Sequence, residues 1–133
     1  MKLVINEPGS KEAAAEITNA LKKGHKLYTV DLALAEGLNA LWKHSNVLRD
    51  LKEEDANAAA EDLTKIHDKL NIVTTRENTP EAMQIALTQD ITVYDALYIA
   101  AAQKTNGALF TADQKLYNAA QGITNAKQLT PKP

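Results

Sequence analysis

Three acids sit where an α/β chain keeps its chemistry. Asp95 follows Ile91-Thr92-Val93-Tyr94 and opens a helix whose next residues, Ala96, Leu97, Ile99, Ala100 and Ala101, are apolar. An acid placed there lies among free backbone N–H groups and benefits from the helix dipole. Asp113 comes two residues after Ala108-Leu109-Phe110-Thr111, a short apolar run that reads as a buried strand. Ligands of open parallel sheets bind just past the carboxyl ends of such strands. Glu36 falls in the second turn of the helix that follows a strand over residues 27–30. Its helix face continues through Asn39 and Lys43, whereas Leu34, Leu38 and Leu41 take the core side. Three carboxylates from three segments can thus meet at one edge of the sheet, and a divalent cation would offset their repulsion. With no cysteine and no paired histidines, the expected ion is a hard one, Mg²⁺ or Mn²⁺. Thr111, beside Asp113, can add a hydroxyl to a ligand or water. Taken singly, Asp95 and Asp113 read as helix N-caps and Glu36 as a solvated surface acid. Their convergence is what reads as a site.

The bulk of the chain excludes several other chemistries. Its 133 residues suit one domain with a single core, and 44% hydrophobic with 24% charged residues is ordinary for a globular protein. The net charge of −2 does not announce a nucleic-acid binder, but a metal site brings its own positive charge. Without cysteine there is no thiolate catalysis and no zinc-thiolate site, which fits a cytoplasmic protein. No apolar run approaches the ~20 residues that span a bilayer, and residues 1–10 are too poor in charge and apolar length for a signal peptide. Glycine-rich dinucleotide and phosphate loops and the G-x-S-x-G elbow are all missing. His25, His44 and His67 have no metal-ligand spacing. Lys22, Lys23 and Lys26 read as a solvated helix end, Asp31 as a cap, and Trp42 with Leu41 as core or subunit contact.

Helical and strand-like segments must position the acids. Ser10 can cap a helix over 11–23 that Gly24 stops; Asp31 can cap the next, over 32–44, with Leu34, Leu38, Leu41 and Trp42 as its buried stripe. An alanine-rich helical stretch runs over 47–70 and a strand over 71–75. Thr79-Pro80-Glu81 starts a further helix, the Asp95 helix follows and closes at Asn106-Gly107, and a strand over 108–111 precedes a short helix over 114–121. Ile123-Thr124 reads as a weak last strand and Pro131-Lys132-Pro133 as a loose tail. Short strands separated by helices imply a parallel sheet covered on both faces, a three-layer α/β/α architecture.

Asn6-Glu7-Pro8-Gly9-Ser10, the run from Leu32 to Leu41, Tyr94-Asp95-Ala96-Leu97-Tyr98 and Thr111-Ala112-Asp113 resemble the PIN domain, most closely the VapC-type toxins of prokaryotic toxin–antitoxin pairs. The resemblance covers nearly the whole chain in order. It implies a metal-dependent endoribonuclease acting on RNA, a homodimer, inhibited by a small antitoxin protein that packs on it. Carried over by position, Glu36, Asp95 and Asp113 match metal-site acids of the family, and Thr111 its neighbouring hydroxyl residue. Family members also begin with a strand ending in aspartate. Met1 to Ile5 resemble the end of the following helix instead, so the resemblance predicts a chain that starts late and lacks the central first strand and its aspartate. Such a chain would pair with itself or a partner, and short of one ligand it would alternatively serve as a catalytically silent binding module.

Overall fold

The computed structural model describes residues 1–129, so the Pro131–Pro133 tail lies outside the described residues. The chain runs β1 (Lys2–Ile5), α1 (Lys11–Lys22), β2 (Lys26–Val30), α2 (Leu32–Trp42), α3 (Glu53–Asp68) and β3 (Asn71–Val73). It continues through α4 (Thr79–Gln89), α5 (Val93–Thr105), β4 (Ala108–Thr111), α6 (Gln114–Ala120) and β5 (Asn125–Gln128). The strands form one sheet in the order β3-β2-β1-β4-β5, and every pairing is parallel. All strand C-termini therefore emerge at one edge.

The expected loss of the central strand is overturned. Lys2–Ile5 is that strand, with Leu3 in register with Leu27 of β2 on one side and Ala108 of β4 on the other. The physical reason is plain in the run itself: Leu3, Val4 and Ile5 are all buried, as a strand covered on both faces requires. The residue at its end is not an aspartate but Asn6.

Alternation along the strands divides the core into two layers. Val4, Val30 and Leu109 face α4, α5 and α6, where seven successive residues of α5, Ala96 to Ala102, are buried. Leu3, Ile5, Leu27 and Ala108 face α1 through Ala13, Ile17 and Ala20. Three layers result, α/β/α as expected. Three further details differ from the sequence reading. The stretch over 47–70 is helical only from Glu53, because α2 runs into a π turn over Lys43–Val47 and Arg49 then takes a left-handed φ of 56°. The leucine stripe of α2 is not core: Ala33 is its only buried residue, while Leu38 and Trp42 are exposed. The last strand begins at Asn125, after Ile123-Thr124.

Candidate active site

The site is built outward from the end of β1. Asn6 is buried and Glu7 takes a left-handed φ of 51°, turning the chain before the buried Pro8. Ser10 then caps α1 by accepting from the Ala13 N–H at 3.1 Å. This places the Glu7 side chain at the carboxyl edge of the central strand, between the segments that follow β2 and β4.

Asp95 does not cap its helix. Thr92 does, its hydroxyl accepting from the Asp95 N–H at 3.2 Å, which leaves the half-buried Asp95 carboxylate free of that task. Asp113 does cap: its Oδ1 accepts from the Lys115 and Leu116 N–H groups at 2.9 and 3.1 Å. Thr111 points inward rather than at a ligand. It is fully buried, donates to Asn6 Oδ1 at 2.7 Å and accepts from the Asp113 N–H at 3.0 Å. Glu36, one turn inside α2, accepts from the buried Tyr98 phenol at 2.8 Å.

Packing fixes the Glu7 and Glu36 segments relative to each other. The residues one or two places further on are Gly9 and Gly37, and the buried Leu63 of α3 lies against both. A Cβ on Gly9 would stand 2.7 Å from Leu63 Cδ1, and a Cβ on Gly37 would stand 2.5 Å from Cδ2. Only glycine lets the two backbones close on that leucine.

The acids sense one another. Burial raises Glu7 above its ordinary value, and Asp113, Glu36, Glu12 and Asp95 raise it further. Burial also raises Glu36, against the Tyr98 hydrogen bond and with Asp95 adding to the rise. Asp95 is raised by burial and by Asp113, with Lys115 opposing. Tyr98 is pushed up by its own burial and by Glu36. Glu36, Asp95 and Asp113 thus share one electrostatic field, and Glu7 joins it. It does not close them into a cage: among the described residues no three His, Cys, Asp or Glu side chains are gathered tightly enough to hold a metal. Hard carboxylate oxygens that repel one another do fit Mg²⁺ or Mn²⁺, since Mg²⁺ keeps several waters and needs only one or two carboxylates.

Sequence reasoning missed Glu7 and Tyr98 as site groups. Both stood in quoted segments; a β-rich Leu3-Val4-Ile5 followed by Asn-Glu-Pro-Gly-Ser is itself a strand-and-turn signal. The basic group at Lys22, Lys23 and Lys26 sits at the opposite edge, where Lys2 and Lys26 are in register. Asp31 is structural: it accepts from Leu32 N–H and from both the N–H and hydroxyl of Thr75.

The PIN domain family model matches residues 2–122. Ribonuclease VapC3 of Pyrobaculum aerophilum is 34% identical over 122 residues, covering 87% of this chain and 92% of that protein. The crystal structure of PAE2754 from the same organism has a TM-score of 0.73 at 24% identity, over 95% of this chain and 89% of that one. VapBC2 from Rickettsia felis, bound to a DNA fragment from their promoter, has a TM-score of 0.67 at 16% identity, over 98% and 100%. At those identities the two structures speak for the fold.

Proposed function

Since this chain belongs to the PIN domain family, we propose that it is a metal-dependent ribonuclease, the toxin of a toxin–antitoxin pair, that hydrolyses RNA phosphodiester bonds. The observation that supports this reading is the mutual field of Glu7, Glu36, Asp95 and Asp113 at the carboxyl edge of a parallel sheet. The name of the 34%-identical relative, a ribonuclease, supports the reaction class.

Glu36, Asp95 and Asp113 would hold Mg²⁺ or Mn²⁺, with Glu7 as a fourth oxygen donor. When bound, such an ion lowers the pKa of a water and neutralises charge on a leaving oxygen. The chain's own residues orient the site. The Thr92 cap leaves Asp95 unencumbered, the α6 cap fixes Asp113, and Tyr98 aims Glu36. Lys115, already opposing the rise of Asp95, gives the anionic RNA backbone one cation beside the acids. In-line attack falls to water, and no side chain serves as nucleophile.

Partners follow from the surface. An antitoxin protein would lie in the groove of about 570 Å³ lined by Glu7, Glu36, Leu41, Leu63 and Ile66, flanked by exposed Leu38 and Trp42. The exposed Met83, Leu87 and Tyr94 suit self-association as a homodimer. No helix among the described residues is long and apolar enough to cross a membrane, and the reading places the protein in the cytoplasm.

One observation favours the silent binding module instead: Asn6 stands where the resemblance puts an acid, and the remaining acids form no ready cage. Mn²⁺ titration by calorimetry, with cleavage of a labelled RNA alongside, separates the two. Saturable Mn²⁺ binding and Mn²⁺-dependent cleavage, both weakened in Asp95→Asn, support the nuclease. Absence of both overturns it in favour of the module.

A further inference from the structure

Asn6 and Tyr98 are buried polar groups at the site edge, 5% and 1% exposed. A backbone N–H can only donate, and the Asp113 N–H donates to Thr111 Oγ1 at 3.0 Å. Thr111 sends its single proton to Asn6 Oδ1 at 2.7 Å. A separate bond lies beside it: the Tyr98 phenol donates to Glu36 Oε1 at 2.8 Å, tying α5 to α2 across 62 residues.

We infer that Tyr98 is a positioning residue for Glu36: the hydrogen bond from its buried phenol fixes Oε1 and leaves Oε2 presented to a cation. This rests on the metal-site reading above. Groups that orient a metal ligand from behind commonly govern affinity as strongly as they govern structure.

The test is a double-mutant cycle on Mn²⁺ affinity by calorimetry, using the full chain as wild type, Tyr98→Phe, Glu36→Ala and the double variant. Tyr98→Phe is expected to weaken Mn²⁺ about tenfold, and to have no further effect once Glu36 is gone, within about twofold. If Tyr98→Phe weakens Mn²⁺ equally in both backgrounds, or not at all in the wild type, the positioning role is overturned. If Glu36→Ala itself leaves Mn²⁺ affinity unchanged, the metal-site reading fails instead. A metal-free readout stands beside the cycle: the ¹³C shift of the Tyr98 ring carbon bearing the hydroxyl. Glu36→Ala should move that resonance while leaving those of Tyr28, Tyr94 and Tyr117 in place. A Tyr98 resonance that does not respond overturns the inference whether or not Tyr98→Phe folds.

Discussion

Leu63 should decide the sign of a substitution at Gly37. Glycine inside a helix costs about 1 kcal/mol relative to alanine, so Gly37→Ala in the middle of α2 would stabilise if space allowed. The new Cβ would stand 2.5 Å from Leu63 Cδ2, so the leucine, only 5% exposed, must be pushed out of its packed position. Overpacking a core costs about 1–3 kcal/mol. Taking about 2 kcal/mol for the clash, Gly37→Ala should destabilise by about 1 kcal/mol net. Leu63→Ala should cost about 3 kcal/mol as a cavity. In that background the clash is gone and Gly37→Ala should stabilise by about 1 kcal/mol. The double variant should then be about 2 kcal/mol more stable than additivity predicts. Urea denaturation followed by circular dichroism measures all four proteins. For a chain of this length each kcal/mol also moves the melting temperature by about 3–4 °C. Additive free energies, or a Gly37→Ala that stabilises the wild type, would refute the claim that Leu63 fills the space between the Glu7 and Glu36 segments.

Three further outcomes are expected. Glu7 titrates above its ordinary value, so the folded chain binds its proton more readily and this group's stabilising contribution grows as pH falls from 7. Glu7→Gln should therefore be more stable than wild type at pH 7, by a few tenths to about 1 kcal/mol after solvent screening. The gap should narrow towards about pH 4 and close below it, as both states become protonated; thermal melts across that range check it. Asp95→Asn should act in opposite directions, raising the metal-free melting temperature at pH 7 while weakening Mn²⁺ binding by about tenfold or more, and calorimetry with melting curves would show a failure of either half. Thr92→Ala should cost about 1 kcal/mol by uncapping α5, and a variant as stable as wild type in urea would show that Asp95 has taken over the cap.

The layers and the sheet's parallel sense were legible because each rests on a local pattern, apolar runs of strand length and helical periodicity, and the same pattern sets Glu36 inside α2, Asp95 in the first turn of α5 and Asp113 just past β4. The start of the chain was not. Leu3-Val4-Ile5 carries a strand pattern, but the similarity of Asn6 to Ser10 to a later family segment argued against it, and only pairing with residues 24 and 105 positions away decides the matter. The exposure of Leu38 and Trp42 was illegible for a related reason. Periodicity says which side of α2 is apolar, not whether another layer covers it, and α2 packs chiefly on α3. Tyr98 reads as one more core aromatic in sequence. Its role depends on a partner 62 residues away.

The central position of β1 also constrains when this protein can fold. Its two neighbours are β2 and β4, and Asn6 meets Thr111 across 105 residues. Contacts so distant in sequence carry a heavy loop-closure cost and slow folding. During synthesis, which proceeds at about 5–20 residues per second, the first strand must wait, half-paired, until residues 108–111 leave the ribosome. Asp113 follows directly after. The centre of the sheet therefore closes only once β4 has been made, and any product that stops before β4 lacks both the strand that completes it and Asp113 just beyond.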